Sequence, residues 1–207
     1  MDMSAVKGLL FDKDGTVLDL HATWGMVLNE MIWFTGGEGE QRLAEDLARI
    51  GGYDLATKRF TPDSQLAQGD WGSIFEAWQQ RLGPDKGKRL FLFLDELRQG
   101  KRRRASVALG EIRPTLERLA AAGLKIGIAT NDAEVPARRD MEHIGVADLC
   151  DVIYGHDSHG AKPGPEMMAA FCAETGLRPD QVAMVGDTMT DLRFARNAGA
   201  HCCIGII

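Results

Sequence analysis

Five short, predominantly apolar runs constrain this chain most: residues 6–11, 124–129, 151–154, 181–185 and 200–205. Continuous apolar runs, as opposed to alternating ones, are the mark of strands buried on both faces of a parallel sheet. A helical pattern precedes each of the last four runs. Residues 113–122 space Leu116 and Leu119 for one face, and Gly123 stops them. Residues 135–144 open at Asn131-Asp132 and end at Gly145. Residues 165–175 put Met168 and Phe171 three apart before Gly176, and 190–198 end at Gly199. Glycine just past a helix is the expected C-terminal punctuation. Strand and helix in alternation with short loops predict an α/β fold, a parallel sheet covered on both faces.

Between the first run and the helix at 113 this rhythm stops. About a hundred residues show no convincing strand and read as helices over 22–34, 40–50, 72–81 and 86–98. Trp24, Met31, Leu43, Leu47, Ile74, Trp78, Leu90 and Leu94 supply a separate apolar core. The organisation expected is an α/β core of residues 1–19 and 106–207 interrupted by a helical domain of residues 20–105.

Four polar motifs follow four of the strands, at the sheet edge where open α/β folds bind ligands. After the first comes Phe11-Asp12-Lys13-Asp14-Gly15-Thr16. Two carboxylates in a tight turn suit a division of labour. One attacks phosphorus, since an Asp carboxylate is a known phosphoryl nucleophile, and the other handles the leaving-group proton. A calcium loop would need further acidic ligands and a later Glu, and these are missing. After the second strand, Ala129-Thr130-Asn131-Asp132 offers a hydroxyl and backbone N–H groups to an anion, or else an ordinary helix cap. Lys162, before Pro163 and Pro165, either points its ammonium at that anion or lies on the surface. Gly186-Asp187-Thr188-Met189-Thr190-Asp191 stacks two carboxylates at a helix start. Near Asp12 they would repel unless a cation sits among them, and hard oxygen donors imply Mg²⁺.

The remaining composition excludes several classes. A net charge of -6 argues against a general nucleic-acid binder. Lys101-Arg102-Arg103-Arg104, the one strong basic cluster, reads as a solvated linker or helix end. Cys150, Cys172, Cys202 and Cys203 form no disulfide framework and are expected reduced. The N-terminus lacks the apolar run of a signal peptide, and no run approaches the roughly 20 apolar residues of a membrane span; the cytoplasm is the expected compartment. His156 and His159 read as loop residues at the entrance. Asp19, His21 and Trp24 divide between facing the site and packing the inserted core. Lys58 and Arg59 are expected on solvated surface, with a substrate carboxylate as the other reading.

In order, spacing and place, the four motifs resemble the haloacid dehalogenase (HAD) superfamily: Asp-x-Asp-Gly-Thr, a Thr after the second strand, a Lys, and Gly-Asp-x-x-x-Asp. The resemblance spans nearly the whole chain. It implies a Rossmann-like core with an inserted helical C1 cap, nearest in length and layout to the phosphoglycolate-phosphatase branch. The chain ends at Ile207, just after the last expected strand, where family members usually carry another short segment, so a trailing element that pads the sheet is expected to be missing. The resemblance implies that Asp12 becomes an aspartyl phosphate while Asp14 protonates the leaving oxygen and then activates water. Mg²⁺ would be held by the Asp12 carboxylate, the Asp14 carbonyl and Asp187, with Asp191 as ligand or orienter of its water. Thr130, the Asn131 N–H and Lys162 would neutralise phosphoryl oxygens. The expected substrate is a small-molecule phosphate ester, phosphoglycolate being the first candidate, acted on by a monomer or homodimer with no membrane or nucleic-acid partner. Rival readings are a sugar phosphomutase, a phosphonatase using a cap lysine such as Lys58, and a non-catalytic phosphate-binding regulatory module. A 2-haloacid dehalogenase fits poorly, because that class lacks the second aspartate, here Asp14.

Overall fold

The computed structural model describes residues 3–36, 39–61, 64–67, 71–99, 101–102 and 105–206. From the N-terminus run β1 (Gly8–Phe11), α1 (Leu20–Gly36), α2 (Gln41–Gly51), β2 (Tyr53–Asp54), β3 (Arg59–Phe60) and α3 (Trp71–Arg98). They are followed by α4 (Ile112–Ala121), β4 (Lys125–Ala129), α5 (Glu134–His143), β5 (Val152–Tyr154) and α6 (His156–His159). Last come α7 (Glu166–Thr175), β6 (Val182–Gly186), α8 (Met189–Ala198) and β7 (Cys202–Gly205). The chain divides into two compact units, Met1–Asp19 with Ser106–Ile207, and Leu20–Ala105.

The first unit is a five-stranded parallel sheet in the order β5-β4-β1-β6-β7. The strands coincide with the five apolar runs to within two residues at each end. Both faces are covered. Leu9, Phe11, Ile126, Ile128 and Val185 pack with Leu116, Ala137 and Met141 on one side. Leu10, Val152 and Met184 pack with Met168, Phe171 and Phe194 on the other. Each large aliphatic side chain buried here contributes about 1.5–3 kcal/mol. Central β1 has β4 on one side and β6 on the other, so the order reverses there and a crevice opens at the carboxyl ends of the strands. Gly176 and Gly199 end α7 and α8 in the left-handed conformation. The helix read as opening at Asn131-Asp132 instead has Ala133 as its N-cap.

The loop after β1 turns back sharply. Gly15 N donates to Leu18 O at 2.8 Å, and Leu18 N to Lys13 O at 2.8 Å. The outgoing chain then meets the returning chain: Asp19 N donates to Val107 O at 2.8 Å and Leu109 N to Val17 O at 2.9 Å.

The second unit builds its own core. Met31, Leu43, Leu47, Ile74, Trp78 and Leu90 are buried, with Trp24 and Leu94 partly buried against them. Trp78 Nε1 donates to Leu47 O at 3.0 Å, which satisfies its buried N–H. Helix α3 breaks at Gly83 (φ 72°, ψ 179°), just before Pro84, so it behaves as two segments. Two expectations are corrected here. The insert does contain strands, the antiparallel pair β2 and β3. Two residues each are too few to show an alternating pattern, and Asp54 Oδ1 closes the turn by accepting from Ala56 N and Thr57 N. The basic cluster is not simply solvated. The Arg102 guanidinium lies 4.4 Å from the Phe34 ring centroid and 4.3 Å from that of Phe93, and it pairs with Glu30 and Glu96. Arg103 and Arg104 lie outside the described residues.

Trp24 packs against this core, and His21 Nδ1 accepts from Phe60 N at 3.1 Å. Lys58 and Arg59 are exposed. His156 and His159, expected in a loop, form the short helix α6, and the His159 ring packs edge-on against Tyr154 at 4.3 Å. All four cysteines are free thiols. Among the described residues no helix is long and apolar enough to cross a membrane.

Candidate active site

Asp12 directly follows β1, its N–H donating to Val185 O at 2.8 Å. That bond carries the sheet ladder one residue past the strand and fixes the backbone from which the carboxylate projects. Asp187 directly follows β6, and Asp191 lies in the first turn of α8. Carboxylate oxygens of Asp12, Asp187 and Asp191 all lie within 4.8 Å of one another. Three anionic groups held this closely form a hard oxygen cluster that fits a small divalent cation such as Mg²⁺.

Lys162 enters the same cluster from the loop between α6 and α7. Its ammonium is 2.5 Å from Asp12 Oδ1 and 2.6 Å from Asp191 Oδ1. All three residues are buried. Lys162 is held by its own backbone: Asn131 Nδ2 donates to Lys162 O at 3.0 Å, and Lys162 N donates to Asn131 Oδ1 at 2.7 Å. This two-point clamp lets the loop after β4 set the position of a lysine 31 residues away.

The electrostatics follow from burial and crowding. Burial, with help from Asp191 and Asp14, pushes the Asp12 carboxyl up to about 7 against the opposing pull of Lys162. Burial and then Asp191 also raise Asp187. Burial opposes the charge on Lys162, but Asp12 and Asp191 outweigh it and hold the ammonium above its ordinary value. A single ammonium therefore leaves Asp12 and Asp187 short of positive charge, as expected of carboxylates arranged around a further cation.

Local sequence explains the close approach. Gly15 has φ 85°, and a Cβ there would stand 2.1 Å from Asp187 Oδ2. A Cβ at Gly186 would stand 2.4 Å from the Asp191 carboxyl carbon. Thr188 caps α8, and Asp191 Oδ2 accepts from both the Thr188 N–H at 3.1 Å and its hydroxyl at 2.7 Å. Gly15→Ala is therefore expected to displace Asp187 and to lower divalent-cation affinity by at least tenfold, given backbone strain of about 1–3 kcal/mol in addition to the collision. Calorimetric titration with Mg²⁺ checks this, and unchanged affinity would refute it.

Of the residues singled out in the sequence, Asp12, Lys162, Asp187 and Asp191 come together. Thr130 is buried at the end of β4; its N–H donates to Tyr154 O at 3.1 Å, and its hydroxyl accepts from Asp132 N at 3.1 Å. It caps no helix. The Asn131 side chain is engaged with the Lys162 backbone. Asp14 is drawn elsewhere, its Oδ2 lying 2.7 Å from the ammonium of Lys13. Sequence reasoning gave Lys13 and Asp140 no role and read Asp132 only within the motif that opens a helix. Lys13 is fully buried and also lies 3.2 Å from Asp132 Oδ2 and 2.9 Å from Asp140 Oδ2. Asp140 in turn accepts from Ser106 Oγ at 2.6 Å. A lysine between two aspartates was the available signal, but these partners lie more than a hundred positions on.

Residues 6–199 match the family model for haloacid dehalogenase-like hydrolases. The chain belongs to that family. It is similar to phosphoglycolate phosphatase of Rhodospirillum rubrum, 42% identical over 82 residues, which make up 39% of this chain and only 34% of that relative's length. A longer alignment to phosphoglycolate phosphatase of Nitrosospira multiformis is 26% identical and covers 95% of this chain and 81% of the relative. Among solved structures, a predicted phosphoglycolate phosphatase from Haemophilus somnus superposes with a TM-score of 0.70. It is 21% identical, covers 99% of this chain and 86% of its own, and so establishes likeness of fold.

Proposed function

We propose that the protein is a Mg²⁺-dependent phosphatase that hydrolyses a small-molecule phosphate monoester through a phosphorylated Asp12. The convergence of Asp12, Asp187, Asp191 and Lys162 at the carboxyl edge of the sheet carries this reading. Asp12, Asp187 and, directly or through water, Asp191 would hold Mg²⁺, with the Asp14 carbonyl as a further donor. Bound there, Mg²⁺ supplies charge neutralisation for the phosphoryl oxygens and favours the ionised form of Asp12.

Asp12 attacks phosphorus in line. As the phosphorus–oxygen bond to the leaving group breaks, Asp14 gives that oxygen its proton. In the second half Asp14 takes a proton from water as its oxygen bonds to phosphorus and the Asp12–phosphorus bond breaks. Lys162, with the Thr130 hydroxyl and the Asn131 N–H, offsets charge on the phosphoryl oxygens. Positioning and charge neutralisation of this kind supply most of the rate in phosphoryl transfer.

Residues 20–105 are read as a cap that restricts the substrate to small esters. In support, both of its connections leave the core through the hydrogen-bonded pair at Asp19 and Val107, and Leu18 bridges to Asp14. Phosphoglycolate is the first candidate, on the strength of the relatives' names. The phosphonatase alternative needs an activated, desolvated lysine, whereas Lys58 is exposed on the β2–β3 turn.

The test is phosphate release from phosphoglycolate, sugar phosphates, nucleotides and a phosphopeptide, with Mg²⁺ and after exhaustive chelation. Release from a small ester that falls to background on chelation is expected. Undiminished turnover without metal would sink the metal assignment, preference for the phosphopeptide would sink the cap reading, and no release from any ester would sink the phosphatase itself.

A further inference from the structure

A fully buried lysine needs a reason, because an ammonium without counter-charges is strongly unfavourable in a protein interior. Lys13 has three carboxylates within 3.2 Å: Asp14 at 2.7 Å, Asp140 at 2.9 Å and Asp132 at 3.2 Å. An ammonium offers three N–H donors, enough to reach all three carboxylates. The three aspartates come from three places: the loop after β1, the loop after β4, and the middle of α5. Asp140 is the deepest, with a side chain 8% exposed, and the Ser106 hydroxyl also donates to it. Asp132 follows Asn131, which clamps Lys162.

The two lysines thus serve different aspartates. Lys162 serves Asp12 and Asp191, while Lys13 serves Asp14. An uncharged side chain of similar length would fill the same space with less desolvation, so packing alone does not account for a cation here. What the cation adds is orientation. A neutral carboxyl has one oxygen that carries the proton and one that accepts hydrogen bonds. With the Lys13 ammonium holding Oδ2 at 2.7 Å, the carboxyl is fixed in one orientation and Oδ1 is the oxygen assigned to proton exchange.

We propose that Lys13 is a positioning residue for Asp14: anchored by Asp140 and Asp132, its ammonium fixes the Asp14 carboxyl so that Oδ1 exchanges the proton with the leaving-group oxygen. This rests on the phosphatase reading given above. The step balances: the electron pair of the breaking phosphorus–oxygen bond stays on the leaving oxygen, which takes the Oδ1 proton, and Asp14 remains as a carboxylate. Lys13 loses no proton and touches no substrate.

The readout is leaving-group dependence. A dinitrophenolate departs without a proton, whereas an alkoxide needs one. For Lys13→Met, kcat/KM, which stops at departure of the leaving group, should fall about 100-fold with glycerol 2-phosphate, the scale of one general acid. With 2,4-dinitrophenyl phosphate it should stay within about fivefold, since no acid is needed there. In an Asp14→Asn background, adding Lys13→Met should change the alkyl rate by less than about threefold, because the two act as one unit. Equal losses on both esters, or losses that multiply in that background, would overturn the proposal. Should Lys13→Met fail to fold, Asp140→Asn, which keeps the lysine but removes the charge of its deepest anchor, takes the same comparisons; selective loss on the alkyl ester supports the proposal and uniform loss overturns it. A wild-type protein that releases phosphate neither from these esters nor from the panel above would instead remove the phosphatase reading itself.

Discussion

Asp12→Asn is expected to abolish turnover, by about 10⁴-fold or more, the scale on which an enzyme loses its nucleophile. The amide keeps the shape of the carboxylate and cannot attack phosphorus. The fold should survive, because the influences on Asp12 other than Lys162 oppose its charge: burial first, then Asp191 and Asp14. Lys162 keeps a partner in Asp191 at 2.6 Å. The melting temperature is therefore expected to hold or rise. Phosphate release together with thermal melting separates lost chemistry from lost structure. More than about a hundredth of wild-type activity would contradict the nucleophile assignment.

Lys162→Met is expected to reduce both stability and activity. Removing one partner of a buried ion pair costs about 3–5 kcal/mol, because the remaining charge is left uncompensated. Here two carboxylates lose their ammonium, Asp12 at 2.5 Å and Asp191 at 2.6 Å. Asp12 also loses the neighbouring charge that favours its ionised, nucleophilic form, so turnover is expected to fall by about 10³-fold or more, beyond the loss of a single stabilising donor. Mg²⁺ should raise the melting temperature of the variant more than that of the wild type, since the cation substitutes for the missing charge. A variant that melts like wild type and turns over within about tenfold of it would show that Lys162 does not hold the cluster together.

The sequence made the sheet legible because its strands are buried on both faces. Residues such as Leu9, Leu10 and Phe11 must all be apolar, so the run stands out without any partner being known. The glycines after α7 and α8 marked helix ends through one backbone requirement each. Of the four residues that converge, Asp12 and Asp187 directly follow strands and Asp191 lies in the first turn of a helix, which made them legible. Lys162 stood out only as a lysine beside two prolines in the loop before α7. The short strands β2 and β3 were not legible, since they are held by one turn with no periodic pattern. Arg102 was misread because a charge run reports composition, while its place between Phe34 and Phe93 depends on helices packing together. Lys13 was overlooked for a related reason. Its partners Asp132 and Asp140 are brought to it only when β4 pairs with β1. The same holds for Asn131, whose side chain is used on the backbone of Lys162 and not as part of a helix start.

The pairing of Asp19 with Val107 has a consequence for how this chain could change over time. The polypeptide departs and returns through neighbouring hydrogen-bonded residues, so for the sheet the whole of residues 20–105 amounts to a long hairpin loop. Loop-closure entropy grows only slowly with length, so the ends can stay joined whatever is spliced between them. The inserted core has its own buried set, from Val27 to Phe93, and the sheet has another. Substitutions, lengthening or exchange in the insert can therefore accumulate while the residues around Asp12 stay in register. One stretch of the chain is free to vary while the other keeps its sheet and acidic cluster constant.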